Sequence, residues 1–210
     1  MAALAPSSLA RIDRQRFPTL AAYLDRLPHG LDSYPECQAK CSLLMSALDD
    51  FSLEQALPGL PGSLADLVQH PPPRVEWIPQ VQFRAVLRAI CDEHFKTPAD
   101  FVAWSYGAQQ RMLGGPLYRI LFALIGPERL LRNVQARWAH FHRNLILEVQ
   151  AAGQSVDGGF RFPAHMYDRL DLEATLLGLR AALELAGAHE VTTQVISVSS
   201  TEALGRLTWR

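Results

Sequence analysis

The chain has 210 residues, 49% of them hydrophobic and 20% charged, enough to bury one substantial core. Twenty Lys and Arg stand against 21 acids, a formal net charge of −1, so no global field draws the chain to nucleic acid or to an anionic membrane, and neither is expected as a partner. The first residues lack the basic and long apolar stretches of an export signal, the most apolar run (117–125) is far shorter than the ~20 residues that span a bilayer, and three cysteines make no disulfide framework. A cytoplasmic protein is expected.

Pro18-Thr19 opens a short helix through Tyr23 and Leu24 to Pro28-His29-Gly30. Pro35 predicts the start of a second helix, whose apolar face is Leu44, Ala47 and Leu48 and which places Cys37 and Cys41 one turn apart. Residues 49–73 are broken by Pro58-Gly59, Pro61-Gly62 and Pro71-Pro72-Pro73 and form a stiff connector with a short helical piece from Ser63 to His70. A strong helix begins at Pro79 and runs to about Phe95, with Phe83, Val86, Leu87 and Ile90 at helical spacing. Thr97 caps the next helix, Pro98 takes its first position, and Gly114-Gly115 stops it. Pro116 to Ile125 reads as an enclosed helix, and Leu130, Val134, Trp138 and Phe141 form the stripe of another.

After His142 the period changes from 3.6 to 2. Leu145, Leu147 and Val149 alternate with polar residues, Gly153 to Gly159 reads as a turn, and Phe160 and Phe162 mark a second short strand. Leu172, Leu176, Leu179 and Leu183 mark a helix ending at Gly187; Val191 to Val198 and Leu204 to Trp209 are the last strands. The predicted fold class is α+β: a helical N-terminal segment packed on a C-terminal ββαββ, mostly antiparallel sheet. Residues 1–78 form the first segment and 79–210 the second, within one domain.

Chemistry-bearing patterns are sparse. Cys37, Cys41, Cys91 and His94 offer three thiols and an imidazole, a set that suits zinc; burial as small hydrophobes is the stronger reading, and zinc is kept only as a minor alternative. Asp92, Glu93 and His94 are helix neighbours that point apart, Ser105 lacks the glycine of a nucleophile elbow, and no phosphate loop occurs, so no enzyme and no catalytic residue are expected. Arg111, Arg119, Arg129, Arg132, Arg137 and Arg143 face only Glu128 in their stretch; Arg129, Arg132 and Arg137 are the candidate interaction surface for an acidic partner. Trp138, His140, Phe141 and His142 are the densest aromatic cluster, and Tyr118, Phe122, Trp138 and His142 are the candidate lining of a cavity between helices and sheet.

Pro116-Leu117-Tyr118-Arg119, Gly126-Pro127-Glu128-Arg129, Arg137-Trp138 and the closing segment from Ala186-Gly187-Ala188 to Thr208-Trp209 resemble an uncharacterised family of single-domain proteins expanded in myxobacteria, over roughly residues 79–210. That family's tail is similar in turn to the four-vinyl-reductase domain, the heme nitric-oxide/oxygen-binding sensors and the vesicle-tethering transport subunits. The resemblance implies a non-enzymatic module that binds a small ligand or signals, with a homodimer as one form and a protein-interaction adaptor as the alternative. Departures limit what it carries over. The Tyr-x-Ser-x-Arg motif of the heme sensors is absent and residues 116–125 contain no His, so heme is disfavoured and no cofactor is expected. The last hairpin has no cysteine, unlike many four-vinyl-reductase relatives, and Cys37 or Cys41 only loosely matches the acylated cysteine of the tethering subunits.

Overall fold

The computed structural model describes residues 12–115, 126–127 and 129–210. The chain separates into two compact units, Met1–Lys96 and Thr97–Arg210.

In the first unit the elements are α1 (Pro18–Asp25), β1 (Gln38–Lys40), α2 (Cys41–Asp50), α3 (Gly62–Gln69), β2 (Trp77–Pro79) and α4 (Gln80–His94). The spacing of α4 turns Val81, Ala85, Val86, Ala89 and Ile90 inward, all fully buried, and α1 contributes Leu20 and Tyr23 to the same core. Pro35 starts no helix. Tyr34 takes a positive φ of 55°, and Gln38–Lys40 is extended and pairs antiparallel with β2, Ala39 opposite Ile78. The pairing outweighs local helix propensity because it buries both of those side chains and satisfies backbone groups that the prolines around them leave exposed. Helix α2 therefore begins later, at Cys41, whose N–H donates to the Glu76 carbonyl while that of Ser42 donates to the Arg74 carbonyl.

The second unit holds α5 (Pro98–Leu113), α6 (Val134–Ala139), β3 (His142–Arg143), β4 (Ile146–Ala152), β5 (Ser155–Arg161), α7 (Arg169–Leu185), β6 (Thr192–Val198) and β7 (Glu202–Thr208). Both long helices begin with reciprocal capping boxes, Thr97 with Asp100 and Asp168 with Asp171. The sheet runs β4-β5-β7-β6 with every pair antiparallel. The fold class is α+β, and the ββαββ order read from the sequence is present.

One boundary moves. The turn expected over Gly153–Gly159 is only Gly153-Gln154, since Ala152 already pairs with Ser155 and Val149 with Gly158. Gly153, at φ 57°, supplies the backbone that a two-residue hairpin needs. The glycines farther along are strand residues: Gly158 sits opposite Gly205 in β7. They misread as turn residues because they lack β propensity; in β7, Gly205 lies under Leu176 of α7, which is buried with Leu172 and Leu183. On its other side α7 meets α5; a Cβ on Gly178 would stand 3.4 Å from the Gln109 side chain. Tyr106 donates from α5 to the Glu184 carboxylate of α7, which Arg180 also holds at 2.8 Å. Among the described residues, no helix is long and apolar enough to cross a membrane.

Candidate functional site

Two arrangements in the second unit bring chemistry-bearing side chains together. The first is aromatic. Trp138, near the end of α6, stacks on His142 of β3 with ring centroids 4.0 Å apart, meets Phe160 of β5 edge-on at 5.8 Å, and donates its indole N–H to the Leu145 carbonyl at 3.2 Å. Three rings thus tie a helix end to the first hairpin. His142 is buried, whereas neighbouring His140 is exposed. Tyr118 and Phe122, grouped with Trp138 and His142 from the sequence, lie outside the described residues.

The second arrangement is a groove of about 550 Å³ lined by Gly126, Pro127, Arg129, Arg132, Gly153, Gln154 and Trp209. Arg129 and Arg132 stand three apart on a helical stretch and share a face; both are exposed, while Leu130 and Leu131 are buried and fix the opposite face. The far wall comes from the β4–β5 turn, held by a 3.0 Å bond from the Trp209 N–H to the Gln154 carbonyl. Arg137 does not line the groove; it is half-buried and makes interactions of its own. Charge composition pointed to the arginines, but nothing in the sequence joined them to Gly153, Gln154 and Trp209, because only the sheet register brings those residues to one end.

No family model matches the sequence, and no curated protein matches it. Solved structures do. An H-NOX domain designated Cs, carrying an unnatural amino acid, is similar at a TM-score of 0.53 and 8% identity, over 81% of this chain and 96% of that one. An oxygen-binding H-NOX domain related to soluble guanylate cyclases, in its oxygen complex, gives 0.52 and 10%, over 80% and 92%. A structure concerned with heme redox potential and porphyrin distortion gives 0.52 and 11%, over 80% and 99%.

The chain has an H-NOX-like fold.

That fold corrects the expectation that heme is disfavoured. The structures above include an H-NOX domain in its oxygen complex and one concerned with heme redox potential and protein-induced porphyrin distortion. At 8–11% identity a short sequence motif need not persist in a shared fold, so the missing Tyr-x-Ser-x-Arg pattern and the absence of His from 116–125 are no ground for setting heme aside. No iron ligand is assigned. The groove at Arg129 and Arg132 contains no imidazole, thiol or phenol among its described lining residues and does not itself fit a heme iron.

The H-NOX-like chain also scatters the residues grouped as a zinc set. Cys37 precedes β1 instead of sharing a helix with Cys41, the Cys41 thiol donates to the Pro72 carbonyl at 3.1 Å, and His94 Nε2 meets the Ser52 carbonyl at 2.9 Å. Among the described residues, no three His, Cys, Asp or Glu side chains converge. Burial pushes the Cys37 and Cys91 thiols up to about 11, which keeps them protonated at neutral pH and suits a core role. The carboxylates beside Cys91 are structural too. Asp92 accepts from the N–H groups of Thr19 and Leu20 at 3.0 Å and from the Thr19 hydroxyl at 2.7 Å, closing the N-terminus of α1, and Glu93 takes a two-point bond from Arg16.

Proposed function

We propose that the chain is a ligand-binding sensory domain that performs no reaction of its own. The observation that supports it is the extent of the structural similarity, which takes in four fifths of this chain and 92–96% of two H-NOX domains. This is inference by fold. Trp138 and His142 form the proposed polar and aromatic end of its ligand cavity, with Tyr118 and Phe122 as further lining. Buried aromatic walls carrying few polar groups suit a flat, largely apolar ligand, and heme stands among the ligands to be tested.

Native mass spectrometry of freshly purified protein, from cells grown with and without a heme precursor, tests the reading together with a hemin titration followed in the Soret band. A stoichiometric small-molecule adduct, or saturable hemin uptake weakened by Trp138→Ala, is the expected result. A chain that carries no adduct and takes up no hemin overturns it.

A further inference from the structure

We infer that the groove between the Arg129–Arg132 helix face and the β4–β5 turn is a binding site for a small multivalent anion carrying phosphate or carboxylate groups. Size, charge and preorganisation each support this. About 550 Å³ falls within the range of small-molecule pockets, ~300–1,000 Å³.

Charge is the stronger argument. In the Thr97–Arg210 unit, Arg161, Arg169, Arg180, Arg206 and Arg210 each contact a carboxylate: Glu148, Glu173, Glu184, Asp157 and Glu190 respectively. Arg129 and Arg132 have no carboxylate partner among the described residues, which do not include the neighbouring Glu128, and no acid appears among the described residues lining the groove. Two guanidinium groups three residues apart on one helix face repel each other. An anion shared between them removes that repulsion and takes up their paired N–H donors, whose fork geometry matches carboxylate and phosphate oxygens.

The walls are held before any ligand arrives. Leu130 and Leu131 anchor the arginine-bearing stretch in the core. Across the groove, the register Ser155↔Thr208 and the bond from Trp209 N–H to the Gln154 carbonyl fix the turn, and Trp209 is only 8% exposed. Gln154 is exposed, and its amide adds a neutral donor beside the two cations. With Trp209 so enclosed, no aromatic face is open for stacking, so recognition rests on the anionic groups and not on a ring.

Isothermal titration of the full chain with pyrophosphate, and separately with the tricarboxylate tricarballylate, tests the site and distinguishes the two anion chemistries. Wild type is expected to bind at least one of them saturably at one to one. The double variant Arg129→Gln/Arg132→Gln should weaken that binding by about tenfold or more, with far-UV circular dichroism unchanged because both side chains are exposed. Arg169→Gln, which removes a paired surface arginine of α7, should leave it unchanged. Loss shared equally by Arg169→Gln, or no saturable binding of either anion, overturns the inference. Binding of an oligoglutamate peptide with no binding of the small anions also overturns it, in favour of an acidic protein partner. Hemin uptake should be the same in wild type and the double variant, so the failure of this site and the failure of the sensory reading are separate results.

Discussion

Gly205 of β7 lies directly beneath Leu176 of α7: a Cβ built on the glycine would stand 2.6 Å from a Leu176 methyl. The helix rests on the sheet at the one place where β7 offers no side chain. Gly205→Ala is therefore expected to destabilise the protein by about 1–3 kcal/mol, the usual cost of overpacking a core, although alanine is otherwise acceptable in a strand. Its neighbour across the ladder is the control. A Cβ on Gly158 meets nothing closer than 3.7 Å, so Gly158→Ala should cost clearly less. Urea denaturation of both variants decides it; equal losses would mean that helix–sheet proximity is not the cause.

Asp92 should matter through α1 and not through any reaction. Asp92→Ala removes the acceptor for two backbone N–H groups and one hydroxyl, and a loss of roughly 1–2 kcal/mol is expected, as for other helix caps. Hydrogen exchange gives a sharper reading. The amides of Thr19 and Leu20 should exchange faster in the variant, and unchanged rates would show that packing alone holds the helix end.

The bond from Arg16 holds the Glu93 carboxyl below its ordinary value of 4.5. A depressed carboxylate contributes stability that is complete above the unfolded-state value and is lost as pH falls through the folded one. Wild type should therefore exceed Arg16→Gln in stability by a constant amount at about pH 6 and above, with the gap closing below 4.5. Parallel acid-unfolding curves for the two proteins would refute this.

Cys37 and Cys91, pushed up to about 11 from 9.0 by burial, should resist a thiol reagent at about pH 8 in the folded protein and react at once in denaturant, since the thiolate is the nucleophile. Cys41, fully buried, should behave alike. Here the folded-state value is raised, so the stabilising contribution is complete below pH 9.0 and fades as pH climbs towards 11. Rapid labelling of any of the three in the native state would contradict the packing described.

The sequence made the second unit more legible than the first. The change of period after His142 and the leucine spacing of α7 are local signals, and each marks an element that is present. β1 and β2 are three residues long, too short to show a period, and they pair antiparallel with each other. The first part of β5 was hidden because Gly158 and Gly159 lack β propensity and are extended through their pairing with β4 and β7. At the candidate site Arg129 and Arg132 stood out as part of an arginine-rich stretch opposed by Glu128 alone, whereas Gly153, Gln154 and Trp209 acquire their place only through register. Asp92, Glu93 and His94 read only as helix neighbours that point apart, since their partners at Thr19, Arg16 and Ser52 are far away in the chain.

The cap on α1 also orders events during synthesis. An eight-residue helix is too short to persist alone in water, and the carboxylate that closes its N-terminus follows Thr19 by 73 positions. While the nascent chain is extended from its N-terminus, α1 has neither its cap nor the α4 surface beside it until α4 has emerged from the ribosome. Residues 18–25 then remain uncommitted until that point, and ribosome-bound fragments that stop short of Asp92 should lack this helix.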